Sequence, residues 1–234
     1  MGRQWLQKKR GINADKRAKI TSKLAREIVV AAKMGAPDPA FNPRLALAIE
    51  SARKQSVSND VITRAVKKGS GQTGETVDFE LVTFEGMSPQ NVPVIVECLT
   101  DNRNRTAPDM RSLFKDGRFG AKVMFFFDHL GHIEATHSEA DLDLETAALE
   151  AGADDVEPLE EAPAEGTGAR FYTAPTELDA VTKALRDAGW DISESEMGYR
   201  AKEKSSIAAE DREKHEAFLE RIDDHDDSHR IYSA

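Results

Sequence analysis

A chain of 234 residues is long enough for a sizeable core and one to three domains, and its net charge of −10 argues against a surface that is basic throughout. The single cysteine, Cys98, excludes an intramolecular disulfide and sits in an apolar run, where a lone thiol is a small hydrophobe. Apolar runs stay under ten residues, too short for a membrane-spanning helix, and no apolar signal core follows the basic start, so a cytoplasmic, reducing location is expected.

The net charge hides a partition. Residues 1–70 hold 16 Lys/Arg and 5 Asp/Glu, a balance of +11, and the rest of the chain holds the other 16 basic and 37 acidic residues of its 32 and 42. Attraction to polyanions depends on local charge density, so the basic head is the first candidate surface.

In chain order, "NADKRAKITSKLAREIVVAAKMG" spaces Ile20, Leu24, Ile28 and Ala31 along one helical face. Lys16, Lys19, Lys23, Arg26 and Lys33 form a stripe on another face, with Arg17 nearer the apolar side. After "APDP", Asn42 reads as an N-cap and Pro43 as the first residue of a second helix with Leu45, Ala48, Ile49 and Ala52 inward. A third helix is expected from Ser58 to Gly69. Three short amphipathic helices bury their stripes against each other, as a small bundle. "GSGQTGET", residues 69–76, lacks the Lys-Ser/Thr of a phosphate-binding loop and reads as a flexible joint.

Beyond it the period changes. "FELVTFE" and "VPVIVECL" read as strands joined by "GMSPQN", "TAPDMRSLFKDG" as a helix, and "KVMFFFD" as a strand buried on both faces. Residues 131–201 then read strand, helix, strand, strand, helix, strand, the order of a ferredoxin-like unit. A helix around "DREKHEAFLERI" and an edge strand "HRIYSA" close the chain. The expected fold class is α+β: an N-terminal three-helix domain followed by two α+β domains, the third, ferredoxin-like, inserted into the second. The expected boundaries are 1–76 for the basic helical domain, 77–130 plus 204–234 for the middle domain, and 131–203 for the acidic insertion.

Candidate nucleic-acid-binding residues start with Arg3, Lys8, Lys9 and Arg10, with Trp5 among them to stack on a base or an rRNA loop, and continue with Lys16, Lys19, Lys23 and Arg26. The other reading of these residues is a solvated helix face with Trp5 packed on the bundle. A second candidate is "CLTDNRNRTA", residues 98–107. Asp101 and Asn102 are turn formers, and Asn104 or Thr106 would cap the next helix. Capping leaves Arg103 and Arg105 unexplained: they either contact a phosphate or carboxylate ligand or pair with a domain neighbour such as Glu85 or Asp109. His129, His132 and His137 lie loosely around a turn, and "DDHDDSH" holds His225 and His229 among aspartates, but neither has metal-site spacing, and the latter reads as a solvated turn. Acidic pairs such as Glu160 and Glu161 lie in a Pro/Ala/Gly-rich loop and read as solubilising charge. No catalytic, cofactor-binding or metal-binding residues are assigned.

The residues together resemble the YebC/PmpR family, described as probable transcriptional regulators and including a mitochondrial activator of translation of a cytochrome c oxidase subunit. The resemblance rests on the basic start with Trp5, "KLAREIVVAAKMGAPDPAFNPRL", "VITRAVKKG", "FEGMSP", "ECLTDNRNRT", "EAGADDVE" and "DDHDDSHRIYSA". "GRQW" replaces the usual Gly-His-Ser-Lys-Trp start, Ser58 stands where proline is common, and "KDGRFGAKVMFFF" lacks one glycine of a pair. The resemblance implies three domains and a non-catalytic, cytoplasmic, nucleic-acid-associated role. The expected function is therefore a nucleic-acid-binding, DNA-binding transcriptional regulator. The alternatives are a ribosome-associated translation factor acting on rRNA, and an adaptor that binds a protein partner through its acidic domains. Nothing requires a membrane or a particular oligomeric state.

Overall fold

The computed structural model describes residues 4–74, 79–159 and 166–234, with side chains from residue 17 onward. Arg3, the end of the Gly-rich joint at 75–76, Glu160 and Glu161 lie outside the described residues, as do the side chains of Trp5, Lys8, Lys9, Arg10 and Lys16. The chain divides into two compact units, Met1–Phe125 with Glu203–Ala234, and Phe126–Lys202.

The first unit opens with three helices, α1 (Gln4–Met34), α2 (Pro43–Lys54) and α3 (Asn59–Gly69). Their core joins Ile28 and Ala31 of α1 to Leu45, Ala48, Ile49 and Ala52 of α2 and Ile62 and Ala65 of α3. Ile20 departs from its expected inward place and is 45% exposed. The cause is length: α1 has 31 residues against 12 and 11 in its partners, so they cover only one end of it. α1 also starts nine residues before the first residue of the expected stretch.

Asn42 joins α1 to α2. Its Oδ1 accepts from the Leu45 amide at 3.0 Å, capping α2 with Pro43 at the first helical position. Its Nδ2 donates to the Ala31 and Ala36 carbonyls at 2.8 and 2.9 Å, satisfying groups left open where α1 ends. Ser58 precedes α3 without a side-chain capping bond.

The same unit continues with β1 (Glu80–Met87), β2 (Pro93–Thr100), α4 (Arg103–Leu113) and the two-residue β3 (Arg118–Phe119). The second unit holds β4 (Phe127–His137), α5 (Leu144–Ala151), β5 (Asp155–Pro158), β6 (Thr167–Thr173), α6 (Leu178–Asp187) and β7 (Asp191–Ala201). The chain then returns to the first unit through α7 (Ala209–Asp223) and β8 (Ser228–Ser233).

In the first unit the antiparallel sheet runs β3-β1-β2-β8. Val82, Phe84, Val94, Val96 and Cys98 of its strands pack with Met110 and Phe114 and with Phe218 and Ile222, from the α4 and α7 segments. The Phe114 and Phe218 rings meet edge to face, centroids 5.1 Å apart. Gly86 is required here: a Cβ would lie 2.6 Å from the Phe114 ring. In the second unit the order β5-β6-β4-β7, antiparallel throughout, is that of a ferredoxin-like sheet. Ile133, Phe171, Leu185 and Trp190 are buried there.

The expected strand "KVMFFFD" is not one. Met124–Phe126 form a 3₁₀ turn, exposed by 40, 64 and 40%, and β4 begins only at Phe127, which is buried. Glu85 accounts for this, because its Oε2 accepts from the Val123 and Met124 amides at 2.8 and 2.9 Å. Amides bonded to a side chain have no need of a neighbouring strand.

Asn42→Ala is expected to lower stability by about 2–3 kcal/mol, combining a lost cap with two orphaned carbonyls. Asn42→Asp keeps the cap acceptor but faces those carbonyls with a carboxylate, so it is expected to rescue little. Urea unfolding of both variants checks this.

Candidate functional site

The "DNRNRT" loop and the acidic C-terminal turn meet at one carboxylate, Asp227, whose side chain is 3% exposed. Arg105 Nη2 donates to Asp227 Oδ1 and Oδ2 at 3.2 and 2.9 Å. The Thr106 hydroxyl donates to Oδ2 at 2.6 Å, and Arg26 Nη1 from α1 stands 3.2 Å from Oδ1. The Asp227 carbonyl accepts from the Leu99 amide at 2.9 Å, tying the turn to β2.

Local sequence sets up this convergence. Asn102 caps α4, its Oδ1 accepting from the Arg105 amide at 3.2 Å. The cap is therefore neither Asn104 nor Thr106, which lie inside α4. Thr100 Oγ1 accepts from the Asn102 amide at 2.9 Å and lies 2.7 Å from Thr106 Oγ1. Each hydroxyl has a single proton, so a directed chain runs from the Asn102 N–H through Thr100 and Thr106 to Asp227. Asp101 accepts a second bond from Arg105 Nη2, at 3.1 Å.

The α1 stripe meets the same turn. Lys19 Nζ donates to the Asp224 carbonyl at 3.0 Å and stands 3.5 Å from its Oδ1. Lys23 Nζ bonds the Asp223 carbonyl and, at 2.7 Å, its Oδ1. Arg26 Nη1 bonds the Asp226 carbonyl, and its guanidinium lies over the Phe79 ring at 5.3 Å. The spacing 19, 23, 26 puts these cations on one face, and that face meets the end of α7, where open carbonyls and the helix dipole favour positive charge.

Burial alone would push the Asp227 carboxyl up, but the Thr106 hydroxyl, Arg105 and Arg26 outweigh it and hold it below the usual carboxylate range. The bond to Asp227 in turn raises Arg105 further. Burial pushes the Cys98 thiol up to about 12, so it is no nucleophile at neutral pH. His225 Nδ1 accepts from the Asp227 amide at 3.1 Å, which leaves the proton of the neutral ring on Nε2, 3.4 Å from Asp109.

The predicted residues thus divide. Lys19, Lys23, Arg26, Asp101, Asn102, Arg105 and Thr106 belong to one network, whereas Arg103 and Asn104 are exposed outside it. The acidic turn, expected to be merely solvated, is the acceptor of that network. The neighbours first considered for the arginines do other work: Glu85 holds the 123–124 turn and Asp109 faces His225. The sequence pattern does not single out Asp227; the signal that points to it is a loop arginine, Arg105, and an acidic turn that each need a partner of opposite charge. Between these groups lies a cleft of about 590 Å³ lined by Lys19, Arg26, Phe79, Arg105, Asp109 and Asp227, among others. Among the described residues no group of three His, Cys, Asp or Glu is arranged to hold a metal, and no helix is long and apolar enough to cross a membrane.

Asp227→Asn is expected to cost about 2–3 kcal/mol at neutral pH, since it removes the charge and turns one of two acceptor oxygens into a donor facing Arg and Thr donors. With its native pKa lowered, Asp227 stabilises fully above the ordinary carboxylate range and loses that contribution as pH falls through the native value. The variant should therefore show a shallower acid limb in its unfolding midpoint against pH. Arg105→Ala should destabilise less, its side chain being half exposed, and Arg103→Ala by no more than about 0.5 kcal/mol. Denaturant melts of the three rank them.

The model for the TACO1/YebC protein N-terminal domain matches residues 2–72, and that for the TACO1/YebC second and third domain matches residues 79–234. A probable transcriptional regulatory protein of Polaromonas sp. is 48% identical over 237 residues, covering 99% of this chain and 98% of its own. One from Bdellovibrio bacteriovorus is 44% identical over 237 residues, covering 100% and 99%. The crystal structure of a conserved hypothetical protein from Aquifex aeolicus superposes with a TM-score of 0.80 at 36% identity, covering 93% of this chain and 89% of that one. With both models matched and these relatives aligned over nine-tenths or nearly all of their length, the chain belongs to the TACO1/YebC family.

Proposed function

We propose that this protein is a nucleic-acid-binding regulator of gene expression, a DNA-binding transcriptional regulator; its relatives are named probable transcriptional regulatory proteins. Those names are of regulators and not of enzymes. The observation that carries the reading is the partition of charge between the two units. Residues 126–202 hold 5 Lys/Arg and 19 Asp/Glu, leaving the first unit 27 and 23 of the chain's 32 and 42. The second unit repels phosphate, and contact falls to the first. Its role is then to face solvent or a protein partner.

The placement of exposed cations favours a second reading, a ribosome-associated translation factor. Arg64 and Lys67 on α3 and Arg103 on α4 are exposed on separate elements. Such scattered cations suit shallow contact with folded rRNA as well as with a duplex.

Binding of the full chain to labelled duplex DNA and to purified ribosomes is expected to weaken steeply with salt, with a log–log slope of about −0.9 per neutralised phosphate on the duplex. Sedimentation of cell extract through sucrose, with and without nuclease, separates the two targets. Association that is absent, or insensitive to salt, would overturn the nucleic-acid reading and favour a protein-binding adaptor.

A further inference from the structure

The α1 stripe is the obvious phosphate-binding surface in the sequence, yet Lys19, Lys23 and Arg26 are already bonded to the 223–227 turn, as Arg105 is. Another set of cations is not so engaged. Arg103, Arg111, Lys115, Arg118 and Lys122 are exposed, and among the described residues none forms an ion pair. The two acidic residues between 102 and 122 are Asp109, turned to His225, and Asp116.

Of these, Arg111, Lys115, Arg118 and Lys122 are held along one rigid edge, and Arg103 stands at the other end of α4. β3 pairs with β1, Phe119 opposite Gly86 and Arg118 opposite Met87, at the margin of the sheet. The Gly120 amide donates to the Glu85 carbonyl at 2.8 Å, and the Glu85 carboxylate fixes Val123 and Met124, so residues 118–124 run along the end of β1. α4 is anchored over the same margin by Phe114, whose ring meets Phe119 edge to face at 5.8 Å. The Arg111 guanidinium lies over the Phe119 ring, 5.5 Å from its centroid. Arg118 is steadied by a 3.3 Å bond from Nη2 to Asn91 Oδ1. Just past Lys122 the chain presents Met124 and Phe125, 40 and 64% exposed.

Resting on the nucleic-acid reading above, we propose that this α4–β3 edge is the contact surface for an unpaired stretch of nucleic acid. The cations take the phosphates, and Phe125 takes a base. Ion-paired cations give little further attraction, whereas unpaired ones release counterions from a phosphate backbone in full. Exposed aromatic and thioether side chains beside a basic edge suit unstacked bases and have no purchase on a duplex, whose base faces are hidden. The turn at 124–126, which replaces the expected strand, is what exposes those side chains.

The test uses the full chain and a fluorescein-labelled 12-nucleotide single-stranded RNA, with a duplex of the same sequence alongside. Lys115→Glu/Lys122→Glu is expected to weaken single-strand binding about tenfold and to reduce the salt slope by about 1.4, at about 0.7 per phosphate lost. Phe125→Ser is expected to weaken it at least about fivefold and to leave duplex binding unchanged. Lys183→Glu/Arg186→Glu changes net charge equally on the second unit and should change neither. Thermal unfolding confirms that each variant is folded. If the wild type binds with salt dependence and the edge variants bind as it does, the edge is not the surface, and the nucleic-acid reading stands without it. If the edge and control pairs weaken binding equally, net charge is the cause and the edge assignment fails. If the wild type binds no nucleic acid at any salt concentration, both fail together.

Discussion

A buried carboxylate must be surrounded by donors or it is protonated, and Asp227 takes its donors from two elements far apart in sequence. Arg26 comes from α1 and Arg105 and Thr106 from α4, while the backbone carbonyl of Asp227 accepts from the Leu99 amide of β2. The carboxylate and carbonyl of one residue thus tie α1, α4 and β2 to the C-terminal turn. The arrangement gains from its geometry. The first turn of α4 presents an arginine and a threonine side by side, and the end of α7 presents carbonyls to a face of α1 that is cationic for three successive contacts.

That network changes how the charge of the molecule is to be read. A count over residues 1–70 treats every cation as available to a polyanion. Lys19, Lys23 and Arg26 are instead neutralised within the fold, by partners some 200 residues later in the chain. The surplus that remains open includes exposed cations of α3 and of the α4–β3 edge, which form no ion pair among the described residues. Of the two loop arginines, Arg105 is a brace and Arg103 stands free of it, so an even-handed treatment of the pair misses the division of labour between them.

Much of the fold was legible in local patterns. Asn42-Pro43 started α2 as capping chemistry requires, its four inward residues are all buried, and the strand–helix order beyond residue 130 specified the ferredoxin-like sheet. The misreadings have separate physical causes. "KVMFFFD" has the composition of a strand, but Glu85, a long-range acceptor, claimed its amides. Ile20 has helical spacing, but the helices that would have covered it are too short. Asn104 and Thr106 are good capping types, but Asn102 lay at the position where the chain turned.

The sequence by itself determined most of the elements and of their inward faces, the α+β class and the partition of charge, because periodicity, capping residues and charge counts act over a few neighbours. Only the tertiary structure decided which charges meet. The partner of Arg105 lies 122 residues away, and no spacing rule spans that interval. Pairing of that kind follows from how the sheet and helices pack. Packing therefore assigned "DNRNRT" and "DDHDDSH" to one buried junction and left the cations of the α4–β3 edge facing solvent.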